Sequence, residues 1–294
     1  MKKLTSKQAD LTMLIVALIW GSGFVVTKNS LDTLSAMQIM FYRFLTAGII
    51  SSVFFRKRLK GMNKRDMVSG SIMGFFLATG FVFQTVGLIY TSAANNAFLT
   101  STSVVMVPFV YWITIRMKPK TNNIIAAFMM LIGIFLLTFD FEHFGDFSKG
   151  DFLTILGAVF FAFHIVSTGK FVENKDPIVL STVQIVFSTA YFGVILLFDK
   201  SSMPVSMANI GGSVYLGVMS TFVCFALQTT AQKFTSASHA AIILSLESVF
   251  GSILAILFLK EGYNCIMLIG FVVIFMSVLI AEVGDKYIGI KKVV

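Results

Sequence analysis

The chain is 294 residues long, with 56% hydrophobic residues, 13% charged residues and a formal net charge of +9. A soluble domain of this length carries about 25% charged residues, so the composition excludes an ordinary soluble protein and indicates an integral membrane protein. The two cysteines, Cys224 and Cys265, lie in or beside apolar runs, and their spacing predicts neither a metal site nor a disulfide framework.

Ten apolar runs near 20 residues long follow one another along the chain, and each is long enough to cross a bilayer as a helix. The first run follows a lysine-bearing start that resembles a secretory signal. Because no small-residue cleavage pattern follows it, we expect an uncleaved span. The predicted fold class is all-α integral membrane. The ten predicted spans are about 11–30, 36–55, 67–89, 96–115, 122–139, 152–172, 178–198, 210–232, 238–259 and 265–283.

The distribution of lysine and arginine predicts the orientation of these spans. With the N-terminus in the cytoplasm, 18 basic residues lie in cytoplasmic segments and 4 lie outside. This asymmetry favours cytoplasmic placement of both termini, because positive charge accumulates on the cytoplasmic side of membrane proteins. The basic surface is therefore interpreted as a topology signal that faces anionic lipid headgroups, and no nucleic-acid partner is expected.

The segment Phe81–Pro108 is repeated, at a shift of 144 residues, as Phe225–Ser252. Nine of its 28 positions are identical, and several of these are polar, including a Gln-Thr pair and a Thr-Ser-Ala triplet. Chance matches in so apolar a chain would fall mostly on aliphatic residues and Phe, so the repeat indicates two related halves. We predict two domains, residues 1–147 and 148–294.

Each predicted half contains five spans, which is an odd number, so the second half must enter the membrane upside down. The sequence therefore predicts two inverted five-helix repeats, related by an axis in the membrane plane. This architecture allows one central site to open alternately to either side of the membrane.

Four short motifs resemble the EamA-type members of the drug/metabolite transporter superfamily. They are Trp20-Gly21-Ser22, Arg43-Phe44, Thr91-Ser92-Ala93, and the stretch from Leu244-Ser245-Leu246-Glu247 to Lys260-Glu261-Gly262. The resemblance covers essentially the whole chain as two EamA domains. It implies a ten-helix carrier of small metabolites, often an exporter of amino acids or related compounds. Family members often carry Pro where this chain has Ser248, and the first half has its proline at Pro108.

Glu247 and Arg43 are charged residues inside predicted spans, where ionisable groups are costly and are functional candidates. For Glu247 we consider a proton-coupling or substrate-amine site, and also a structural role as a partner for Arg43 or for helix backbone. Arg43 could bind a substrate carboxylate, because its planar guanidinium pairs naturally with carboxylates. The structural alternative, which we favour, is that it ties helices together or extends toward the interface.

His164 and Trp20 are further candidates for substrate binding or coupling. A histidine can titrate near neutral pH, but a lone histidine in a membrane commonly only joins helices by a hydrogen bond. A tryptophan this deep in a span suits a cavity wall, with one N–H to satisfy, and core packing is the alternative. Gly70 and Gly74 form a G-x-x-x-G pattern, which predicts close helix packing.

Polar residues near the ends of the repeated segment are predicted to form gates at the two mouths of one pathway. Thr91-Ser92 and Thr235-Ser236 open the fourth and ninth spans on opposite sides, and Ser and Thr are favoured helix N-caps. The alternative is that these residues only cap short hairpins. The predicted gate residues are Gln84, Asn95, Asn96, Gln228 and His239.

The chain carries no H-E-x-x-H, G-x-S-x-G or Walker lysine motif, and no aspartate falls inside a predicted span. We therefore expect no enzyme, no cofactor and no metal. The predicted function is a secondary transporter that exports small organic metabolites across the plasma membrane. The alternatives are an importer or exchanger of a carboxylate or vitamin-like compound, and a membrane sensor or assembly subunit. The expected partners are a small-molecule substrate and the lipid bilayer, with protons and a homodimer left open.

Overall fold

The computed structural model describes residues 4–138, 148–259 and 265–287, and within these ranges it contains helices and no strand. The first half contains α1 (Ser6–Ser30), α2 (Ala36–Phe54), α3 (Arg56–Leu59), α4 (Lys64–Ile89), α5 (Ala93–Ser101), α6 (Ser103–Ile115) and α7 (Thr121–Thr138). The second half contains α8 (Lys149–Val172), α9 (Pro177–Leu196), α10 (Gly211–Tyr215), a π-helical segment (Leu216–Val223), α11 (Cys224–Ala231), a 3₁₀ turn (Gln232–Phe234), α12 (Ala237–Leu244), α13 (Glu247–Leu259) and α14 (Cys265–Tyr287).

Seven helices in the described part of the chain are long and apolar enough to cross a membrane. Three shorter apolar helices, Thr121–Leu136, Ala237–Gly251 and Cys265–Ala281, fall on the remaining predicted spans. The predicted all-α class is confirmed, and the length and composition of these helices fit a multi-pass membrane protein. The number of ten crossing helices and their inverted arrangement stay predictions.

Several helices begin before the apolar runs that predicted them. α1 and α8 start with capping boxes, in which Thr5 and Ser148 each exchange side-chain and backbone hydrogen bonds with the residue three positions later. A hydropathy pattern does not detect such caps, because the capping residues are polar. As a result, Asp10 and Asp151, which the predicted spans left out, lie inside α1 and α8.

Helix α4 packs closely on α9 and α8 through glycines. A Cβ atom added to Gly70 would lie 2.5 Å from the Val183 side chain on α9, and one added to Gly74 would lie 2.8 Å from the Gln184 carbonyl oxygen. The close packing predicted from the G-x-x-x-G pattern is confirmed. The same helix meets α8 at Gly80, where an added Cβ would lie 2.8 Å from the Phe161 ring.

The fourth and ninth predicted spans are each interrupted, although both were predicted as continuous. The first interruption is at Thr102, between α5 and α6, and the second is at 245–246, between α12 and α13. Thr102 Oγ1 donates to the Leu99 carbonyl oxygen (2.6 Å) and Ser245 Oγ to that of Ala241 (2.8 Å), a side-chain bonding pattern that bends helices. Hydropathy patterns cannot detect such a local change.

The two interruptions contact each other inside the bundle. Ser101 Oγ and Ser248 Oγ share a hydrogen bond of 2.5 Å, and Ser248 Oγ also donates to the Ala97 carbonyl oxygen at 3.0 Å. Ser101 and Ser248 are almost fully buried. The chain therefore brings the two irregular helix segments together inside the bundle.

Candidate functional site

A cavity of about 830 Å³, including the space at its mouth, lies between the two halves. Helices α1, α2, α4, α5, α6, α8, α11, α12 and α13 contribute to its wall, together with the π-helical segment. A mostly apolar cavity with a few converging polar groups is the usual form of a small-molecule site. Seven of the nine predicted site and gate residues line it: Trp20, Arg43, Gln84, Asn96, His164, Gln228 and Glu247.

Arg43 is 5% exposed and is held in place from two sides. Its Nε donates to Thr221 Oγ1 at 2.6 Å, and its guanidinium carbon lies 4.3 Å from the centroid of the Phe81 ring. No described residue accepts a hydrogen bond from its two terminal nitrogens. The guanidinium is therefore oriented by Thr221 and Phe81 and keeps donors available for an anionic or carbonyl group in the cavity.

Glu247 is the first residue of α13, directly after the interruption of the ninth predicted span. The N-terminus of a helix carries partial positive charge, which favours a carboxylate at this position. Within the described ranges its carboxylate has no hydrogen-bond donor, and no ion pair joins it to Arg43. The two groups line the same cavity and interact electrostatically across it without a direct ion pair.

Three oxygen atoms of cavity-lining residues are buried and have no hydrogen-bond partner in the described part of the chain. They are Oδ1 of Asn96, Oε1 of Gln228 and Oγ of Ser220, and their residues are at most 1% exposed. A buried polar atom without a partner costs about 1–3 kcal/mol, so such atoms are rare in proteins unless water or a ligand completes them. These three oxygens therefore mark positions just behind the wall where a water molecule or a ligand N–H or O–H group would complete the hydrogen bonding.

The amide nitrogens of Asn96 and of the neighbouring Gln84 are already bonded, which fixes the direction of both side chains. Asn96 Nδ2 donates to Thr154 Oγ1 at 2.7 Å and to the Gln84 carbonyl oxygen at 3.1 Å. Gln84 Nε2 donates to Thr100 Oγ1 at 2.9 Å. The donors of Asn96 are used within the bundle, and its acceptor is the group left over.

Trp20 forms part of an aromatic wall. Its Nε1 donates to the Ser220 carbonyl oxygen at 2.8 Å, and its ring lies 5.4 Å from that of Phe225. The centroid of the Phe225 ring lies 6.4 Å from that of the Phe81 ring, and the Arg43 guanidinium lies over the Phe81 ring. The indole N–H is satisfied by the protein, so Trp20 presents only its ring to the cavity.

His164 joins two helices by a hydrogen bond. It is 2% exposed, and its Nε2 lies 2.8 Å from Oε1 of Gln184 on α9. Gln184 Nε2 in turn donates to Thr229 Oγ1 at 3.3 Å. This chain of contacts matches the interhelical role considered for His164, and the ring also lies edge-on to Phe225 on the cavity wall.

The two remaining gate residues, Asn95 and His239, do not line the cavity. Asn95 Nδ2 donates to Asp151 Oδ1 at 2.6 Å, near the start of α5 and α8. His239 Nε2 lies 3.2 Å from Asp10 Oδ1, near the start of α12 and α1. Both residues therefore contact a carboxylate at the end of a neighbouring helix.

Sequence reasoning did not single out Ser220, Thr221, Asp10 or Asp151. Serine and threonine are common in membrane helices, so nothing in the sequence distinguishes the two that contact Trp20 and Arg43. The two aspartates stand just outside apolar runs and were assigned to loops. The sequence feature that could have identified them is the capping pattern at Thr5 and Ser148. These caps start α1 and α8 before the aspartates, so that both aspartates lie within helices. Among the described residues, no group of three His, Cys, Asp or Glu side chains could hold a metal ion.

Comparison with protein families finds two matches to the model of the EamA-like transporter family, at residues 7–139 and 148–282. An "Uncharacterized transporter" of Archaeoglobus fulgidus is 32% identical over 277 residues, covering 93% of this chain and 85% of the relative. A second transporter of that organism with the same description is 23% identical and covers 90% of this chain and 94% of the relative. The "Uncharacterized transporter YyaM" of Bacillus subtilis is 25% identical over 198 residues, 65% of this chain and 64% of the relative.

A solved crystal structure of a protein with 16% sequence identity has the same fold. It superposes with a TM-score of 0.79 and covers 97% of this chain and 100% of the solved chain. At this level of identity the likeness concerns the arrangement of helices alone.

Proposed function

Because the chain belongs to the EamA-like transporter family, we propose that it is a secondary transporter that exports small zwitterionic metabolites, such as amino acids or related compounds, across the plasma membrane. The observation that carries the proposal is the cavity in which Arg43 and Glu247 lie without an ion pair between them. The proposed route is alternating access of this cavity to the two sides of the membrane.

The chemistry of the wall supports a substrate with two charges of opposite sign. The terminal nitrogens of Arg43 are suited to a carboxylate, and the carboxylate of Glu247 is suited to an ammonium group. The acceptors left over on Asn96, Gln228 and Ser220 add places for N–H or O–H groups. The aromatic wall accommodates the apolar remainder of such a molecule.

The packing of the helices supports the proposed inverted repeat. In the first half α4 packs on α8 and α9, and α6 packs on α8. In the second half the equivalent segments pack on the opposite partners: α11 on α1, the π-helical segment on α2, and α13 on α1. The pairs α2 with α9 and α7 with α14 are each composed of equivalent helices. Such an exchange of neighbours is what a two-fold axis between the halves produces.

The interrupted helices support a central site at this axis. The interruptions fall at equivalent positions, and the residues after them, Ser103 and Glu247, both line the cavity. Discontinuous helices that point their N-terminal ends at a substrate are typical of secondary transporters. Protons are the coupling ion that we propose, with Glu247 alternating between a protonated and a substrate-bound state.

The available donors of Arg43 also favour a second candidate, the import or exchange of a compound that carries only a carboxylate. Reconstituted protein and a set of matched analogues distinguish the two. Medium from expressing and non-expressing cells identifies the compounds exported, and uptake into proteoliposomes is then measured for each compound, its carboxamide and its N-acetyl derivative.

We expect each analogue that lacks one charge to be transported at least about tenfold more slowly, the factor that corresponds to about 1.4 kcal/mol. Equal transport of the N-acetyl derivative would favour the carboxylate carrier. Binding without any flux would contradict transport altogether and favour a sensor.

A further inference from the structure

Two polar contacts join helices at opposite ends of the proposed pathway. The outer latch consists of Thr91, Asn95 and Asp151: Asp151 Oδ1 accepts hydrogen bonds from Asn95 Nδ2 at 2.6 Å and from Thr91 Oγ1 at 3.0 Å. The inner latch consists of Asp10 and His239, whose Oδ1 and Nε2 atoms lie 3.2 Å apart. Each latch connects the first turn of an interrupted helix to a carboxylate on a neighbouring helix.

The residues on the interrupted helices occupy equivalent positions. Asn95 and His239 are related by the 144-residue shift of the repeat. Each is the third residue after a serine N-cap, and each donates its backbone N–H to that serine: Asn95 to Ser92 Oγ at 3.1 Å and His239 to Ser236 Oγ at 3.2 Å. The same capping geometry therefore presents an amide in one half and an imidazole in the other.

The two carboxylates are also equivalent, which the packing of their helices shows independently. Asp10 and Asp151 are related by a shift of 141 residues. The same shift relates Val16 to Gly157. Val16 contacts Cys224 on α11 and Gly157 contacts Gly80 on α4, and Gly80 and Cys224 are themselves related by the 144-residue shift. A Cβ added to Gly157 would lie 3.0 Å from the Gly80 carbonyl oxygen, and Cys224 Sγ lies 4.0 Å from the Val16 carbonyl oxygen.

We propose that Asp151 and Asp10 are matched positioning residues, which hold the outer and the inner mouth of the pathway closed through Asn95 and His239. Asp151 is 8% exposed and His239 is 4% exposed, so opening either mouth separates buried polar groups from their partners. At the outer latch these are hydrogen bonds to a carboxylate, whose loss costs more than the loss of neutral ones. At the inner latch the contact that is lost is the 3.2 Å approach of His239 Nε2 to Asp10 Oδ1. Transport as proposed above requires one latch to be broken while the other is formed, and this inference rests on that function.

Alternating accessibility can be measured without knowing the substrate. Single cysteines replace Ala97 and Ala241, which lie two residues after Asn95 and His239 and are 4% and 2% exposed. The background carries Cys224→Ala and Cys265→Ala. A membrane-impermeant maleimide is applied from outside to intact cells for the first position, and to inside-out vesicles for the second.

The matched substitutions are Asn95→Ala and His239→Ala, which leave the serine caps in place. We expect Asn95→Ala to raise the labelling rate at position 97 from outside by about tenfold and to lower it at position 241 from inside. His239→Ala should have the reverse effect. Asp151→Asn should change the labelling rates in the same directions as Asn95→Ala, and Asp10→Asn in the same directions as His239→Ala. His239→Asn, which copies the amide of the outer latch, should stay within about twofold of the parent protein.

Asp32→Asn and Glu173→Gln are the controls, because both carboxylates are exposed and lie at the outer and inner ends of the bundle. Changes in the same direction at both positions, or no change at either, would contradict the latches. If the parent protein exports a compound but the labelling rates at positions 97 and 241 are the same in the latch variants as in the parent, the latch proposal fails and the transport function stands. If labelling shifts as expected and no compound moves, the latches stand and the transport function fails.

Discussion

At the scale of single residues, the cavity combines two groups of opposite charge, Arg43 and Glu247, without a direct ion pair between them. Arg43 is oriented by Thr221 and Phe81, and Glu247 is placed at a helix N-terminus without a hydrogen-bond donor among the residues that the structure describes. Charges that served only to hold the fold together would be expected to pair directly, because an isolated charge inside a membrane protein is costly. Their separation therefore favours roles toward a ligand over roles toward each other.

Glu247→Gln should lower transport by about tenfold or more while the amount of folded protein stays unchanged, because the amide keeps the shape and cannot carry the proton or the negative charge. The measurement is flux into proteoliposomes at several pH values, with size-exclusion elution as the measure of folding. Glu173→Gln is the control, since that side chain is exposed beside Lys170. Unchanged flux together with an unchanged pH profile would contradict a coupling role for Glu247.

Sequence reasoning located most of the candidate residues because a polar group in an apolar run is easy to recognise. Trp20, Arg43, His164 and Glu247 lie in apolar runs and converge on one cavity in the structure. Their roles in transport stay predictions. Thr221 could not be found in this way, because a threonine that positions an arginine looks like any threonine that bonds to its own helix.

At the scale of helices, the two interruptions are the feature that sequence patterns missed. They depend on serine and threonine side chains that bond to backbone carbonyls, and such bonds leave the hydropathy of the run unchanged. The starts of α1 and α8 were missed for a similar reason, since caps are polar and lie outside the apolar runs. The close packing of α4 was predictable, because the spacing of Gly70 and Gly74 has a direct steric meaning.

The contact between the interruptions should contribute measurably to stability. Ser101→Ala removes one side of the bond to Ser248, and we expect a loss of about 1 kcal/mol, since hydrogen bonds between membrane helices average about 0.6 and reach about 1.7 kcal/mol. Ser248→Ala should cost more, because Ser248 also donates to the Ala97 carbonyl oxygen. Reversible unfolding in detergent gives both values.

The double variant Ser101→Ala, Ser248→Ala completes a cycle, and its cost should be smaller than the sum of the single costs because the shared bond is lost only once. Ser167→Ala serves as the control, since Ser167 Oγ donates to the His164 carbonyl oxygen within the same helix. Strictly additive single costs would show that the two interruptions are not coupled through this bond.

At the scale of the whole molecule, the repeat is what connects sequence, fold and function. Two matches to one family model, at 7–139 and 148–282, accompany the exchange of helix neighbours between the halves. The repeat was visible in the sequence because polar identities are rare in an apolar chain. The alignment of α1 with α8 rests on weaker evidence, because those two helices share few identical residues and their shift of 141 residues differs by three positions from that of the repeated segment.

The predicted topology of ten spans places both termini in the cytoplasm. A reporter that is active only in the cytoplasm should therefore be active when fused at Val294 and silent when inserted between Phe144 and Lys149. The reason is the asymmetry of basic residues, which opposes translocation of the segments that carry them. Cell-based reporter activity, normalised to expression, gives the result. Activity in the loop with silence at the C-terminus would contradict the orientation.

The glycine contacts between α4 and α8 have no glycine counterpart in the other half. Gly80 and Gly157 correspond to Cys224 and Val16, which are fully buried between α11 and α1. Two identical halves would make the outward-facing and inward-facing states equal in free energy, because symmetry would convert one state into the other. Close glycine contacts on one interface and side-chain contacts on the other remove that equality. The empty carrier of the proposed function therefore has a resting preference for one side of the membrane, and substitutions at these four positions should shift it.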